Sequence, residues 1–218
     1  MGERVSIARR HRDDGAYSLA IGGKFPAIGR LRARSRRRRA ELVITPESVL
    51  DGYVCGADPS TTRKRMLTVA QRATNGPYIL RARELSKQLG VYLIFGFLEI
   101  KRGDLLNSCV FIDPGGDVIA HYSKVHPTNE LAITPGRKLA PFDTPLGRAG
   151  FLICNDASVP ENFSALASQQ VEIIFIPNNG GAHPATMRML CQRARDACCW
   201  IVLANTCSCA VISARGEF

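Results

Sequence analysis

No stretch of this 218-residue chain is apolar for long enough to cross a bilayer, and its basic N-terminus is followed by no apolar leader core. Both absences point to a cytoplasmic protein with no membrane partner. In a reducing compartment the eight cysteines are expected as thiols, and those at 55, 109, 191, 198, 199, 207 and 209 read as small buried hydrophobes. A zinc pattern is missing as well: Cys198 and Cys199 are adjacent, Cys207 and Cys209 are one residue apart, and no Cys-x-x-Cys meets a second pair. No internal repeat is visible. The net charge of +10 is no general property of the chain either, because residues 1–40 hold 12 Lys and Arg against 3 Asp and Glu, whereas residues 41–218 hold 17 against 16. The basic run from Arg30 to Arg39 has no interleaved aromatics and no nucleic-acid reader motif after it, so nucleic acid is not the expected partner.

What is present, from residue 41 onward, is an alternation of short β-branched apolar runs with longer helix-compatible stretches, the pattern of a layered α/β domain. Strands are expected at Leu42–Thr45, Val91–Phe97, Ser108–Ile112, Val118–Tyr122, Ala149–Cys154, Val171–Pro177, Trp200–Asn205 and Ala210–Ser213. Asp113-Pro114-Gly115-Gly116-Asp117 supplies turn chemistry for a hairpin between the third and fourth. Helices are expected over Thr62–Leu89, broken in two at Asn75-Gly76-Pro77, and over Ala185–Cys199. Residues 1–40 differ in kind. Val5–Ala8 is a strand candidate, but Arg9–Arg39 has no apolar stripe and carries Gly15, Gly22, Gly23, Pro26 and Gly29 in its middle. Two regions follow: an atypical basic segment, 1–40, and a main domain, 41–218.

Three reactive side chains stand just past apolar strands. Phe151-Leu152-Ile153 leads to Cys154, Leu42-Val43-Ile44-Thr45-Pro46 to Glu47, and His121-Tyr122-Ser123 to Lys124. In α/β folds ligands sit beyond strand carboxyl ends, and a thiol preceding a helix N-terminus feels a positive dipole that favours thiolate. Each residue alone is accounted for by burial or a solvated loop; their shared layout makes convergence at one sheet edge the better account.

On these motifs residues 41–205 resemble the nitrilase superfamily of carbon-nitrogen hydrolases, in which Glu, Lys and Cys occur in this order and context. Glu47 matches that family's Pro-Glu, Lys124 its lysine after the hairpin, and Cys154-Asn155-Asp156 with Pro160-Glu161 its cysteine motif. Glu130 falls near its second glutamate, Ile176-Pro177-Asn178-Asn179 resembles the strand and loop that follow, and Ala204-Asn205 the later strand whose end borders its pocket. The resemblance implies a four-layer α-β-β-α sandwich, here incomplete at both ends, that pairs as a homodimer or higher homo-oligomer. It also implies no metal and no organic cofactor. Members place one amphipathic helix between their first two strands, and the glycines, proline and cationic block of residues 9–39 predict that no such helix forms here.

The implied chemistry assigns Cys154 as nucleophile, Glu47 as base and Lys124, with the Asn155 N–H, as oxyanion stabiliser; Glu130 braces the lysine and Asp156 holds the cysteine turn. A thiol with an unperturbed pKa of about 8.5 is scarcely ionised at neutral pH, so the attack on an amide or nitrile carbon needs a base. Cys154-Asn155-Asp156 departs from the Cys-Trp-Glu of nitrile-cleaving members, which favours a linear amide or N-carbamoyl substrate over a nitrile. Two alternatives stay open: an inactive, truncated family member, and nucleic-acid binding through the arginine run.

Overall fold

The computed structural model describes residues 5–7, 41–52, 59–180, 183–206 and 208–218. The expectation for residues 9–39, and Cys55 and Cys207, lie outside the described residues.

Ten strands form two five-stranded sheets, each built from strands that are neighbours in sequence. The first holds β1 (Val5–Ile7), β2 (Leu42–Ile44), β3 (Tyr92–Lys101), β4 (Asp104–Ile112) and β5 (Val118–Ser123) in that order. β1, β2 and β3 run parallel, and β3, β4 and β5 continue as an antiparallel meander. The second sheet is β6 (Phe142–Thr144), β7 (Gly147–Phe151), β8 (Ile173–Pro177), β9 (Trp200–Ala204) and β10 (Cys209–Ile212). Its middle three strands are parallel and its two outer pairs antiparallel. Among the described residues the helices are α1 (Pro59–Val69), α2 (Pro77–Leu89), α3 (Pro160–Ala167) and α4 (Pro184–Asp196), with one 3-10 turn at Cys154–Ser158.

Alternation along the strands sorts the core into layers. One face of the first sheet, with Val43, Leu93, Phe95 and Val110, packs on Ile79 and Ala82 of α2. The other face, with Ile44, Ile94, Phe111 and Tyr122, meets Ala149, Phe151, Phe175 and Val202 of the second sheet. On the far side of the second sheet Leu152, Ile174, Ile176 and Ile201 pack on Phe163 and Leu166 of α3 and Leu190 and Ala194 of α4. Helix, sheet, sheet and helix thus stack in four layers. Aromatic rings bridge the two sheets: Phe142 lies 5.4 Å from Phe111 and 4.9 Å from Phe151, centroid to centroid.

All eight expected strands form, β1 forms over Val5–Ile7, and the long helix is broken before Pro77. Several boundaries differ: β3 runs on to Lys101 and β4 begins at Asp104, β8 begins at Ile173, and the first helix begins at Pro59. β7 stops at Phe151, three residues before Cys154, and α4 stops at Asp196 instead of Cys199. β6 has no counterpart among the expected strands. Its three residues lie between Pro141 and Pro145, which suppress any strand signal, and it exists because its hairpin with β7 brings Phe142 into the layer between the sheets.

Candidate active site

β2 ends because Pro46 has no N–H to continue the ladder; Thr45 Oγ1 instead accepts the N–H of Gly96 on β3 at 2.9 Å. The turn that follows lies directly on β3. A Cβ at position 96 would come within 2.7 Å of the Pro46 carbonyl and 3.4 Å of the Glu47 Cα, so glycine there allows Glu47 its place. Ser48, next in sequence, has left-handed backbone with φ of 46°. Lys124 leaves β5 in register with Tyr122 and so faces the second sheet. Its carbonyl accepts the N–H of Gly136, where any side chain would run into the Ser123 carbonyl. Across the interface, Cys154 opens the 3-10 turn with φ of 49°, a left-handed conformation that costs a non-glycine residue of order 1–3 kcal/mol and recurs at functional sites.

These segments bring four predicted residues together. Lys124 Nζ donates to Glu47 Oε1 at 2.9 Å and to Glu130 Oε1 at 2.6 Å, and all three side chains are at most 1% exposed. Half-buried Cys154 faces this cluster and interacts with both Glu47 and Lys124. Asn107 Nδ2, at 2.7 Å, is a second donor to Glu47 Oε1, while Glu47 Oε2 is buried and accepts no hydrogen bond from nitrogen or hydroxyl.

Electrostatics follow from burial. Loss of solvent raises the Glu47 carboxyl above the usual carboxylate range, against the pull of the Lys124 charge. Burial opposes the Lys124 charge too, but Glu47, Cys154 and Glu130 together hold its ammonium above the ordinary lysine value. Burial and then the Glu47 charge push the Cys154 thiol up to about 12, with Lys124 and a backbone hydrogen bond from Asn179 pulling the other way. Burial beside a carboxylate thus works against the thiolate that the dipole of a following helix would favour.

Asn155 and Asp156 sit behind the sulfur. The Asn155 side chain is occupied, its Nδ2 donating to the His126 carbonyl at 3.1 Å and to Thr128 Oγ1 at 2.5 Å. Asp156 is fully buried; its carboxylate accepts from Tyr122 Oη at 2.7 Å, the His126 N–H at 2.7 Å and the Ile153 N–H at 3.0 Å. One side chain therefore ties the cysteine turn to β5 and to the segment after Lys124. Asn178 donates its N–H to the Ala204 carbonyl at 2.8 Å, joining the ends of β8 and β9, and Asn205 is buried directly beyond. Asn107 and Tyr122 carry no motif that marks them in the sequence. Both are strand residues close to recognised ones, and only the direction of the strand face singles them out. Among the described residues no group of three or more His, Cys, Asp or Glu is arranged to hold a metal, and no helix is long and apolar enough to cross a membrane.

The two-sheet sandwich is the fold of nitrilase-superfamily amidases. An amidase from Nesterenkonia sp. AN1, in a variant with acrylamide added at the active-site cysteine, superposes with a TM-score of 0.71 at 20% identity, over 88% of this chain and 79% of that one. Nit3 from Saccharomyces cerevisiae gives 0.76 at 18% identity, over 88% and 76%. The Carbon-nitrogen hydrolase family model matches residues 18–218, and the chain belongs to that family. Curated relatives include an (R)-stereoselective amidase from Pseudomonas sp, 30% identical over 63% of this chain and 48% of its own length. An N-carbamoylputrescine amidase from Arabidopsis thaliana is 29% identical over 78% and 58% respectively. The chain spans about half the length of the curated relatives it matches.

Proposed function

We propose that this protein hydrolyses a non-peptide carbon-nitrogen bond, in a linear amide or N-carbamoyl group, through a thioester on Cys154. The observation that carries this reading is the convergence of the Cys154 thiol, a buried carboxylate with one oxygen free of nitrogen and hydroxyl donors, and a lysine held by two carboxylates at the facing ends of two sheets. Glu47 takes the thiol proton as sulfur bonds to the carbonyl carbon, and Lys124 with the Asn155 N–H stabilises the oxyanion, each such donor being worth on the order of 3 kcal/mol. Collapse of the adduct breaks the carbon-nitrogen bond, and the proton held by Glu47 leaves with the nitrogen as ammonia or amine. Glu47 then deprotonates water, which attacks the thioester and releases acid and thiol. Glu130 keeps Lys124 charged and aimed, and Asp156 acts through the turn that carries Cys154. The amide preference draws support from the amidases among the relatives and from Cys154-Asn155-Asp156. Incubation with a panel of small amides, N-carbamoyl amines and nitriles, followed by intact-mass and peptide analysis, tests the proposal. An acyl adduct on Cys154 with release of ammonia or amine is expected; turnover that survives Cys154→Ala would overturn it.

A further inference from the structure

The two oxygens of Glu47 are not equivalent. Oε1 takes both hydrogen bonds on offer, from Lys124 Nζ at 2.9 Å and Asn107 Nδ2 at 2.7 Å, and Oε2 takes neither. Asn107 lies on β4, is 1% exposed, and reaches the site twice. Its amide binds the carboxylate, and its carbonyl accepts the Lys124 N–H at 2.8 Å, so one residue spans base and lysine. The amide is itself oriented: Ser48 Oγ donates to Asn107 Oδ1 at 3.4 Å, which leaves Nδ2, the donor end, toward Glu47.

A carboxylate held by lysine alone can rotate about its terminal bond and exchange oxygens, and this lysine is shared with Glu130 at 2.6 Å. An oxygen engaged by two donors is the poorer base, because each donor stabilises the negative charge that a proton would remove. We propose that Asn107 is a positioning residue that pins Glu47 Oε1, so that Oε2 alone receives the proton of Cys154. The inference rests on the hydrolase reading for the role of Glu47. The charged and titratable groups facing Glu47 are Lys124 at the end of β5, Glu130 in the loop beyond it and Cys154 from the second sheet; Asn107 is an uncharged partner whose contribution does not change with pH.

Removing a donor to the ionised form raises the pH at which Glu47 becomes a base. The experiment is the rate of Cys154 carbamidomethylation by iodoacetamide against pH, read by peptide mass spectrometry, with exposed Cys198 in the same molecule as internal clock. In the unaltered protein Cys154 should outpace Cys198, and Glu47→Gln should abolish that advantage. Asn107→Ala should move the acid limb of the Cys154 profile upward by about one pH unit and slow labelling several-fold at neutral pH. Ser48→Ala, which releases the amide without opening the core, should shift the limb the same way by less. It stands in if Asn107→Ala does not fold. An unmoved limb in the folded variants, or a loss equal at every pH, overturns the role of Asn107. An unaltered protein whose Cys154 reacts no faster than Cys198 overturns the hydrolase reading instead.

Discussion

Glu47 and Glu99 are both buried carboxylates of the first sheet, yet their surroundings drive them in opposite directions. Their partners alternate along the same strands. Asn107 and Lys124 serve Glu47, while their neighbours Ser108 and Ser123 serve Glu99, since consecutive strand residues point to opposite faces. Glu99 Oε2 accepts from Ser108 Oγ at 2.7 Å, His121 Nε2 lies 2.7 Å away, and Ser123 Oγ joins Ser108 Oγ at 2.9 Å. Burial raises its carboxyl, but the hydrogen bond and charge of His121, with Ser108, more than offset this and leave it below the usual range. For Glu47 burial wins. Each carboxylate is served through one oxygen, but the Lys124 that serves Glu47 is shared with Glu130, and Glu47 faces a thiol.

Substitution at the sulfur should give the largest effect. Cys154→Ala is expected to lower amide turnover by more than about 10⁴-fold with little change in the unfolding midpoint, because the nucleophile is lost while the buried network remains. Glu47→Gln should cost on the order of 10²–10⁴-fold in kcat, and combining it with Cys154→Ala should add almost nothing, as groups acting in one step fail together. Glu99→Gln should reverse that profile: kcat within a few-fold, and about 1–3 kcal/mol lost in urea unfolding as the charged acceptor of Ser108 and His121 becomes a neutral amide. If Glu99→Gln were as inactive as Glu47→Gln while equally stable, the contrast would collapse.

The pH dependence of stability sharpens the same contrast, and its signs differ. Glu99 has a depressed folded value, so its stabilisation is present above the ordinary 4.5 and is lost as pH falls through the lower folded value. Glu47 has a raised folded value, so its ionisation destabilises the fold as pH rises from 4.5 through that value. Urea titrations at successive pH values should therefore show the Glu99→Gln deficit shrinking below 4.5, and the Glu47→Gln protein gaining on the unaltered one above it. The smallest expected effect is that of Tyr122→Phe, about 1 kcal/mol for one hydrogen bond to Asp156, with a modest fall in kcat as the cysteine turn loosens.

The strands that carry Glu47, Lys124 and Cys154 are legible in the amino-acid sequence as β-branched runs closed by Pro46, by the end of a hairpin and by a polar turn, all of them local signals. What is not legible there depends on faces and distance. Nothing in Leu105-Leu106-Asn107-Ser108 says which of two adjacent polar residues meets Glu47 and which meets Glu99, because strand register decides it. The state of the thiol is hidden for a similar reason. The dipole of a following helix can be anticipated from sequence, but burial beside a carboxylate from 107 residues earlier cannot. β6 is hidden because its contribution is tertiary: one phenylalanine between two sheets.

Each sheet is assembled from consecutive strands, the first from residues up to Ser123 and the second from Phe142 onward. Cys154 belongs to the part of the chain that builds the second sheet, and Glu47 and Lys124 to the part that builds the first. During synthesis Glu47 and Lys124 emerge before Cys154, and the three side chains meet only when the two sheets close on each other. Closure of the fold and assembly of this cluster are then one event, and on the proposed hydrolase reading the reactivity of Cys154 should report whether the two sheets have docked.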